Sequence, residues 1–150
     1  MRFYLLPPER IDEWWPNVQP MVQRVLDYPL GMDLMDWWDV YSECKNNKSM
    51  CLVSEDWTYA AIMCVVTYPK AKVLDLYLCA GEDPGWEDLN TCIDELTTVF
   101  DCKYSTITGR RGWEKVLKPL GYTFCNTTVM KEVSNVTLQN DGISSTGPSD

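Results

Sequence analysis

Residues Ala60-Ala61-Ile62-Met63-Cys64-Val65-Val66 run on without one charged or turn-forming side chain, and Pro69-Lys70 stops the segment just beyond. A run this short, bounded by Thr58 and Tyr68, suits a strand better than a helix. A strand that is apolar on both alternating sides must be covered on both faces. This segment is therefore expected to be a strand buried on both faces of a sheet.

The neighbouring segments supply the other elements. Met50 to Val53 and Val73 to Cys79 read as strands on either side of the apolar run, with Asp75 the only charge in the second. Asp75 is open to two readings, a general base or a solvent-facing strand residue. Arg2 to Leu6 reads as a short strand stopped by Pro7-Pro8. Ile11, Trp14, Trp15, Val18, Met21, Val22, Val25 and Leu26 recur at helical spacing. Because proline is best tolerated at a helix start, the main helix is expected to begin at Pro16, with Pro20 in its first turns or at a kink. A second helix is expected from Asp33, as cap, to about Lys45. After the central strands, Asp83 reads as the cap of a third helix, with Pro84 at its first position and an apolar stripe through Trp86, Leu89, Ile93, Leu96 and Phe100. Tyr104 to Thr108 is a strand by its residue types. A short helix through Trp113, Val116 and Leu117 ends at Pro119 and Gly121, and Tyr122 to Val133 is expected as a final strand. Ser134 to Asp150 changes to Ser, Asn, Thr, Gly and Asp, a polar tail that is flexible alone and ordered only if something ties it down. This gives one domain over 1–133 and a tail over 134–150.

Composition removes several chemistries. There is no histidine, so Ser-His-Asp and Cys-His nucleophile pairs cannot form within the chain, nor can zinc sites that need imidazole. The seven cysteines show no C-x-x-C spacing and several sit in apolar runs, where they act as small buried hydrophobes of a reducing compartment. A formal net charge of −9 argues against general nucleic-acid binding and favours cationic partners. No apolar stretch approaches the ~20 residues of a membrane-spanning helix.

The element order, with the segment Ile107-Thr108-Gly109-Arg110-Arg111-Gly112-Trp113-Glu114-Lys115-Val116-Leu117-Lys118-Pro119-Leu120-Gly121-Tyr122, resembles the GNAT acetyltransferase superfamily. That segment is similar to the G-R-x-G-W-x-x-x-L-x-x-x-G-Y stretch of small GNAT-like proteins from tailed bacteriophages, and the opening Leu5-Leu6-Pro7-Pro8-Glu9-Arg10-Ile11 is similar to their N-terminal strand and helix entry. The resemblance covers residues 1–133 in element order and is specific over 109–122. It implies an α/β (α+β) fold with a mixed central sheet of about six strands flanked by about four helices. It also implies an acyl-coenzyme A site at the loop before the third helix, with Cys79, Ala80, Gly81 and Gly85 as its backbone contacts.

Three departures bear on function. The loop reads Gly81-Glu82-Asp83-Pro84-Gly85, so two carboxylates face the place of a pyrophosphate and Pro84 removes an N–H donor. Like charges ~4 Å apart cost on the order of 4 kcal/mol at an effective dielectric of 20. The position at which the family often places the tyrosine that protonates the leaving thiolate is Leu117. The C-terminal end has room for one long strand and not for a hairpin of two.

Two candidate contact regions stand apart from that loop. Arg110 and Arg111 form a basic cluster with Lys115 and Lys118, either an anion or protein contact or a solvated helix start. Trp14, Trp15, Trp37 and Trp38 form adjacent pairs on two helices. Neighbouring residues cannot both sit on one narrow stripe, so each pair leaves one ring for the surface or demands a wide buried face. The leading expectation is a binding or assembly component without a cofactor, associated with a phage particle, with phage structural proteins engaged through the 134–150 tail. It would be found in the host cytoplasm during infection and in the virion. The alternatives are an acetyl-CoA-dependent N-acetyltransferase and a host-directed regulator.

Overall fold

A computed structural model describes residues 1–27, 34–81, 83–109 and 112–133. Its sheet has five strands in the order β1-β2-β3-β4-β5: β1 (Phe3–Leu5), β2 (Met50–Ser54), β3 (Tyr59–Thr67), β4 (Lys72–Gly81) and β5 (Tyr104–Ile107). The first four pair antiparallel, and β5 joins β4 in parallel. Helices α1 (Ile11–Leu26) and α2 (Trp37–Lys45) cover one face; α3 (Trp86–Val99) covers the other, with α4 (Trp113–Leu117) following β5.

The apolar run is the centre, as its composition demands. Ala60 and Ile62 of β3 pack with Trp15, Val18, Val22, Val40 and Cys44 of α1 and α2. Tyr59, Ala61 and Met63, pointing the other way, pack with Leu89 and Ile93 of α3. One strand thus contributes to both cores.

Strand β4 carries one extra residue. Ile62 pairs with Leu78 but Met63 pairs with Leu76, so Tyr77 is a β-bulge. Leu74 and Leu76 belong to the α3 core, whereas Leu78 and Ala80 belong to the α1–α2 core. Tyr77 packs against the latter, and its hydroxyl bonds to that of Ser49 at 2.7 Å.

Four sequence expectations are corrected. Helix α1 does not begin at Pro16; it starts at Ile11 and runs through Pro16 and Pro20. The two prolines lie four apart on the exposed face with Asp12, where water can satisfy the carbonyls that lose their i+4 donors. Helix α2 is capped by Asp36, whose carboxylate accepts the N–H groups of Trp38 and Asp39 while Asp39 accepts that of Asp36. Asp33 lies outside the described residues. Helix α3 is capped by Gly85 in the left-handed region (φ 68°), not by Asp83, and Trp86 rather than Pro84 is its first residue. Finally, Tyr122 to Val133 forms no strand, so the sheet has five strands among the described residues instead of about six. Its β-branched and aromatic residues suit a strand, but the segment has no ladder partner to satisfy its backbone. Phe124, Val129 and Val133 are exposed there.

Candidate functional site

Strand β4 ends at Gly81 against the start of β3. Gly81 has φ +108°, and a Cβ there would lie 2.1 Å from the Thr58 carbonyl oxygen, so the close crossing requires glycine. Cys79, Ala80 and Gly81 pair with Ala61, Ala60 and Tyr59 of β3. Among the described residues their other edge has no strand, because β5 pairs with β4 only from Val73 to Leu76 and makes its last backbone bond from Thr108 N–H to the Leu76 carbonyl. The two strands separate at this point.

The loop then turns into α3. Glu82 lies outside the described residues. Asp83 is exposed and Pro84 is buried. The Asp83 carboxylate accepts the Gly85 N–H at 3.1 Å, an Asx-type turn that holds Gly85 in its left-handed conformation. No side chain caps α3. Its first turn carries Glu87 and Asp88, and Asp88 accepts the Met1 ammonium at 2.8 Å, which raises the pKa of that amine. The entrance to α3 is thus surrounded by Asp83, Glu87 and Asp88, with one of the three paired to a cation.

Beneath this entrance, Tyr59 is fully buried, and among the described residues its hydroxyl has no nitrogen or oxygen partner, with the Cys79 thiol nearby. Burial pushes its pKa far up, and the nearby Cys79 and Tyr122 add to the effect. Burial likewise pushes the Cys79 thiol up to about 12. Tyr122 reaches back to β5, with its hydroxyl 3.4 Å from that of Ser105. Trp113 stacks edge-on against Trp86 at 5.2 Å and lies so close to Gly109 that a Cβ there would sit 2.0 Å from the ring. These side chains form the α3-side packing next to the point where β4 and β5 part.

Of the sequence candidates, Cys79, Ala80 and Gly81 form the end of β4 and Gly85 the N-cap of α3. Leu117 is buried and carries no titratable group. Arg110 and Arg111 lie outside the described residues. Asp75 accepts the Thr106 hydroxyl at 2.8 Å, tying β4 to β5. The tryptophans divide unequally: Trp15 is buried, Trp14 and Trp37 are half-buried, and Trp38 is 57% exposed.

Around α2 the structure adds groups that the sequence reading passed over. Tyr41 touches Trp15, Trp37 and Trp38, and its hydroxyl donates to Asp12. Lys45 donates to the other Asp12 oxygen at 2.9 Å and to the Tyr41 hydroxyl at 3.0 Å. The Tyr41 hydroxyl and Lys45 hold the Asp12 carboxyl below its usual range, and the same contacts raise Lys45. The spacing of Tyr41 and Lys45 at i, i+4 was readable; the reach to Asp12 on another helix was not.

The architecture is that of the GNAT acetyltransferases. No family model and no curated protein matches the chain by sequence. Solved structures do match by fold. A probable acetyltransferase superposes with a TM-score of 0.65 at 10% identity, over 89% of this chain and 100% of that one. The ribosomal-protein-alanine N-acetyltransferase of Brucella melitensis biovar Abortus 2308 gives 0.61 at 9% identity, over 89% and 100%. A GNAT family acetyltransferase of Staphylococcus aureus gives 0.58 at 14% identity, over 88% and 98%. At such identities the likeness establishes the fold and leaves the activity to the site. Among the described residues, no helix is long and apolar enough to cross a membrane.

Proposed function

We propose that this chain is a binding or assembly component built on the GNAT fold, whose acyl-coenzyme A site has degenerated. The observation that carries the reading is the bond from Gly85 N–H to the Asp83 carboxylate. A pyrophosphate at a helix entrance is held by free backbone N–H groups. Here the loop's own carboxylate occupies that role, Pro84 offers no N–H, and Glu87 and Asp88 add negative charge alongside. The residues present do not fit the diphosphate of acetyl-CoA. The buried Leu117 likewise cannot deliver a proton to a leaving thiolate.

The finer parts of the proposal rest on the resemblance of the Gly109–Tyr122 segment. They are a bacteriophage origin, association with the virion, and phage structural proteins as partners, engaged in part through 134–150. The exposed apolar side chains of 122–133 favour an interaction role, since such groups are costly to leave in water.

A second reading, an N-acetyltransferase, is favoured by one observation: α3 has no side-chain cap, so the N–H groups of its first turn are not held by a capping side chain. Calorimetric titration with acetyl-CoA separates the two. The proposal expects no micromolar binding, together with detection of the chain by mass spectrometry in purified phage particles. Micromolar binding would favour the enzyme.

A further inference from the structure

Three places in the molecule are unused by the reading above: the buried Tyr59 hydroxyl, the unpaired 122–133 segment with the open edge of β5, and a groove beside α2. The groove carries the argument furthest. It has a volume of ≈ 450 Å³ and lies between α2 and the strands β3 and β4. Leu34, Met35 and Val40 give it apolar walls, and the Tyr77–Ser49 hydroxyl pair lies in its lining. Asp39 and Glu43 stand one helical turn apart along it, both exposed, against a single cation, Lys48.

The charges converge on the groove. Beyond the effect of burial, Asp75 and Glu43 both raise the thiol pKa of Cys64, and Glu43 also raises that of Tyr77. Both groups line the groove, so its inner wall sits in a negative potential.

Aromatic rings on α1 and α2 show which chemistry fits. Two rings of this chain already hold cations that a carboxylate anchors. Arg10 lies 4.2 Å from the Trp14 ring and pairs with Glu13, and Lys45 lies 5.5 Å from the Tyr41 ring and pairs with Asp12. Trp38 is a third such ring. It is exposed and stands between the carboxylates Asp36 and Asp39 in sequence, but among the described residues no cation lies over it.

We propose that the groove and the Trp38 ring together dock a basic segment of a partner protein. One Lys or Arg side chain would lay its methylene stem along Leu34, Met35 and Val40 and bring its charge to Asp39 and Glu43. A second would lie on Trp38, where cation–π attraction is strongest among the aromatic side chains. Charge complementarity selects this occupant over an acidic or purely apolar one, and the net charge of −9 would steer it in. The inference rests on the binding-component reading and names the partner chemistry of that role.

The test titrates the full chain with a synthetic peptide of alternating Arg and Leu, following backbone-amide NMR shifts and calorimetry. A Glu/Leu peptide and spermine serve as comparison probes, and circular dichroism checks the fold of each variant. Expected are shifts centred on α2 and the Tyr77 region and an affinity that falls with salt. Trp38→Ala should weaken binding about fivefold and Glu43→Lys about tenfold. No binding, shifts mapping elsewhere, or affinity unmoved by both variants would overturn the proposal. Equal binding of the Glu/Leu peptide would show an apolar surface instead, and equal binding of spermine a small-amine site; either outcome also overturns it. Acetyl-CoA binding is scored separately, so failure of the binding-component reading is visible whatever the peptide does.

Discussion

The Asp83 carboxylate holds the backbone N–H of Gly85 at 3.1 Å, so the loop entering α3 is closed by an anion of its own. Removing that anion should open it. The paired change Asp83→Ala with Glu87→Gln frees the amide and deletes two charges. Each exposed charge is worth on the order of 1 kcal/mol to a nearby anion in salt-screened water, so coenzyme A should bind about tenfold tighter or better. Calorimetry on the variant and the parent at matched ionic strength decides it. Equal affinities would mean that something other than charge bars the ligand.

Gly81 should tolerate no side chain. Gly81→Ala puts a methyl 2.1 Å from the Thr58 carbonyl in a backbone region that alanine avoids, at a cost of about 2–4 kcal/mol. Gly112→Ala, with nothing within 4 Å of the added carbon, should change stability by no more than about 0.5 kcal/mol. Urea denaturation of the two variants gives the contrast directly. A similar midpoint for both would refute the tight crossing of β3 and β4.

Two buried hydroxyls should behave oppositely. The Ser54 oxygen receives the N–H groups of Tyr59 at 2.9 Å and Thr58 at 3.2 Å, and its hydrogen lies within reach of Asp56 at 2.8 Å. Ser54→Ala strands those donors and should cost about 1–3 kcal/mol. Tyr59→Phe removes a hydroxyl that has no nitrogen or oxygen partner among the described residues, and should leave stability unchanged or raise it by about 1 kcal/mol. A clear loss in Tyr59→Phe would show that the Cys79 thiol accepts from the phenol.

The thiols set an alkaline limit. Cys44 and Cys79 are held protonated up to about 12 by burial, against 9.0 for an ordinary thiol. In the unfolded chain they ionise first, so the unfolded state binds fewer protons than the native one between those values. Their contribution is complete below pH 9 and is lost as pH rises towards 12, which urea midpoints across that window should record. The direction reverses for Asp12 and Asp56, whose lowered carboxyl pKa values make stability fall as acid approaches and passes 3.8. In the native state a thiol reagent should modify the exposed Cys125 first and spare Cys44, Cys51 and Cys79. Fast modification of Cys51 would contradict its burial.

The central strand and the α3 stripe were legible because burial writes itself into residue type. Helix ends were less so. Asp33, Asp36, Asp83 and Gly85 all stand within four residues of the start of α2 or α3 and all suit a helix start. The choice among them depends on which backbone N–H each carboxylate reaches, and that is fixed by tertiary packing. Pro16 misled because the cost of a proline depends on which side of the helix loses its donor. Tyr122 to Val133 has the residue types of a strand, but pairing needs a second edge that residue type does not report. The loop at Gly81 and Gly85 was singled out by the family resemblance, whereas the groove beside α2 joins residues from Leu34 to Tyr77 and has no local signature.

The single extra residue at Tyr77 has a consequence for how this chain can vary. Across it, and only there, side chains two apart in β4 serve opposite layers, as Leu76 and Leu78 do. Deleting Tyr77 would bring Leu76 and Leu78 into direct succession opposite Met63 and Ile62, and Leu74, Leu76, Leu78 and Ala80 would all keep the layers they fill. Losing Tyr77 would therefore cost its own packing and its bond to Ser49, whereas one residue lost or gained elsewhere in β4 would turn a stretch of the strand out of phase with its layer.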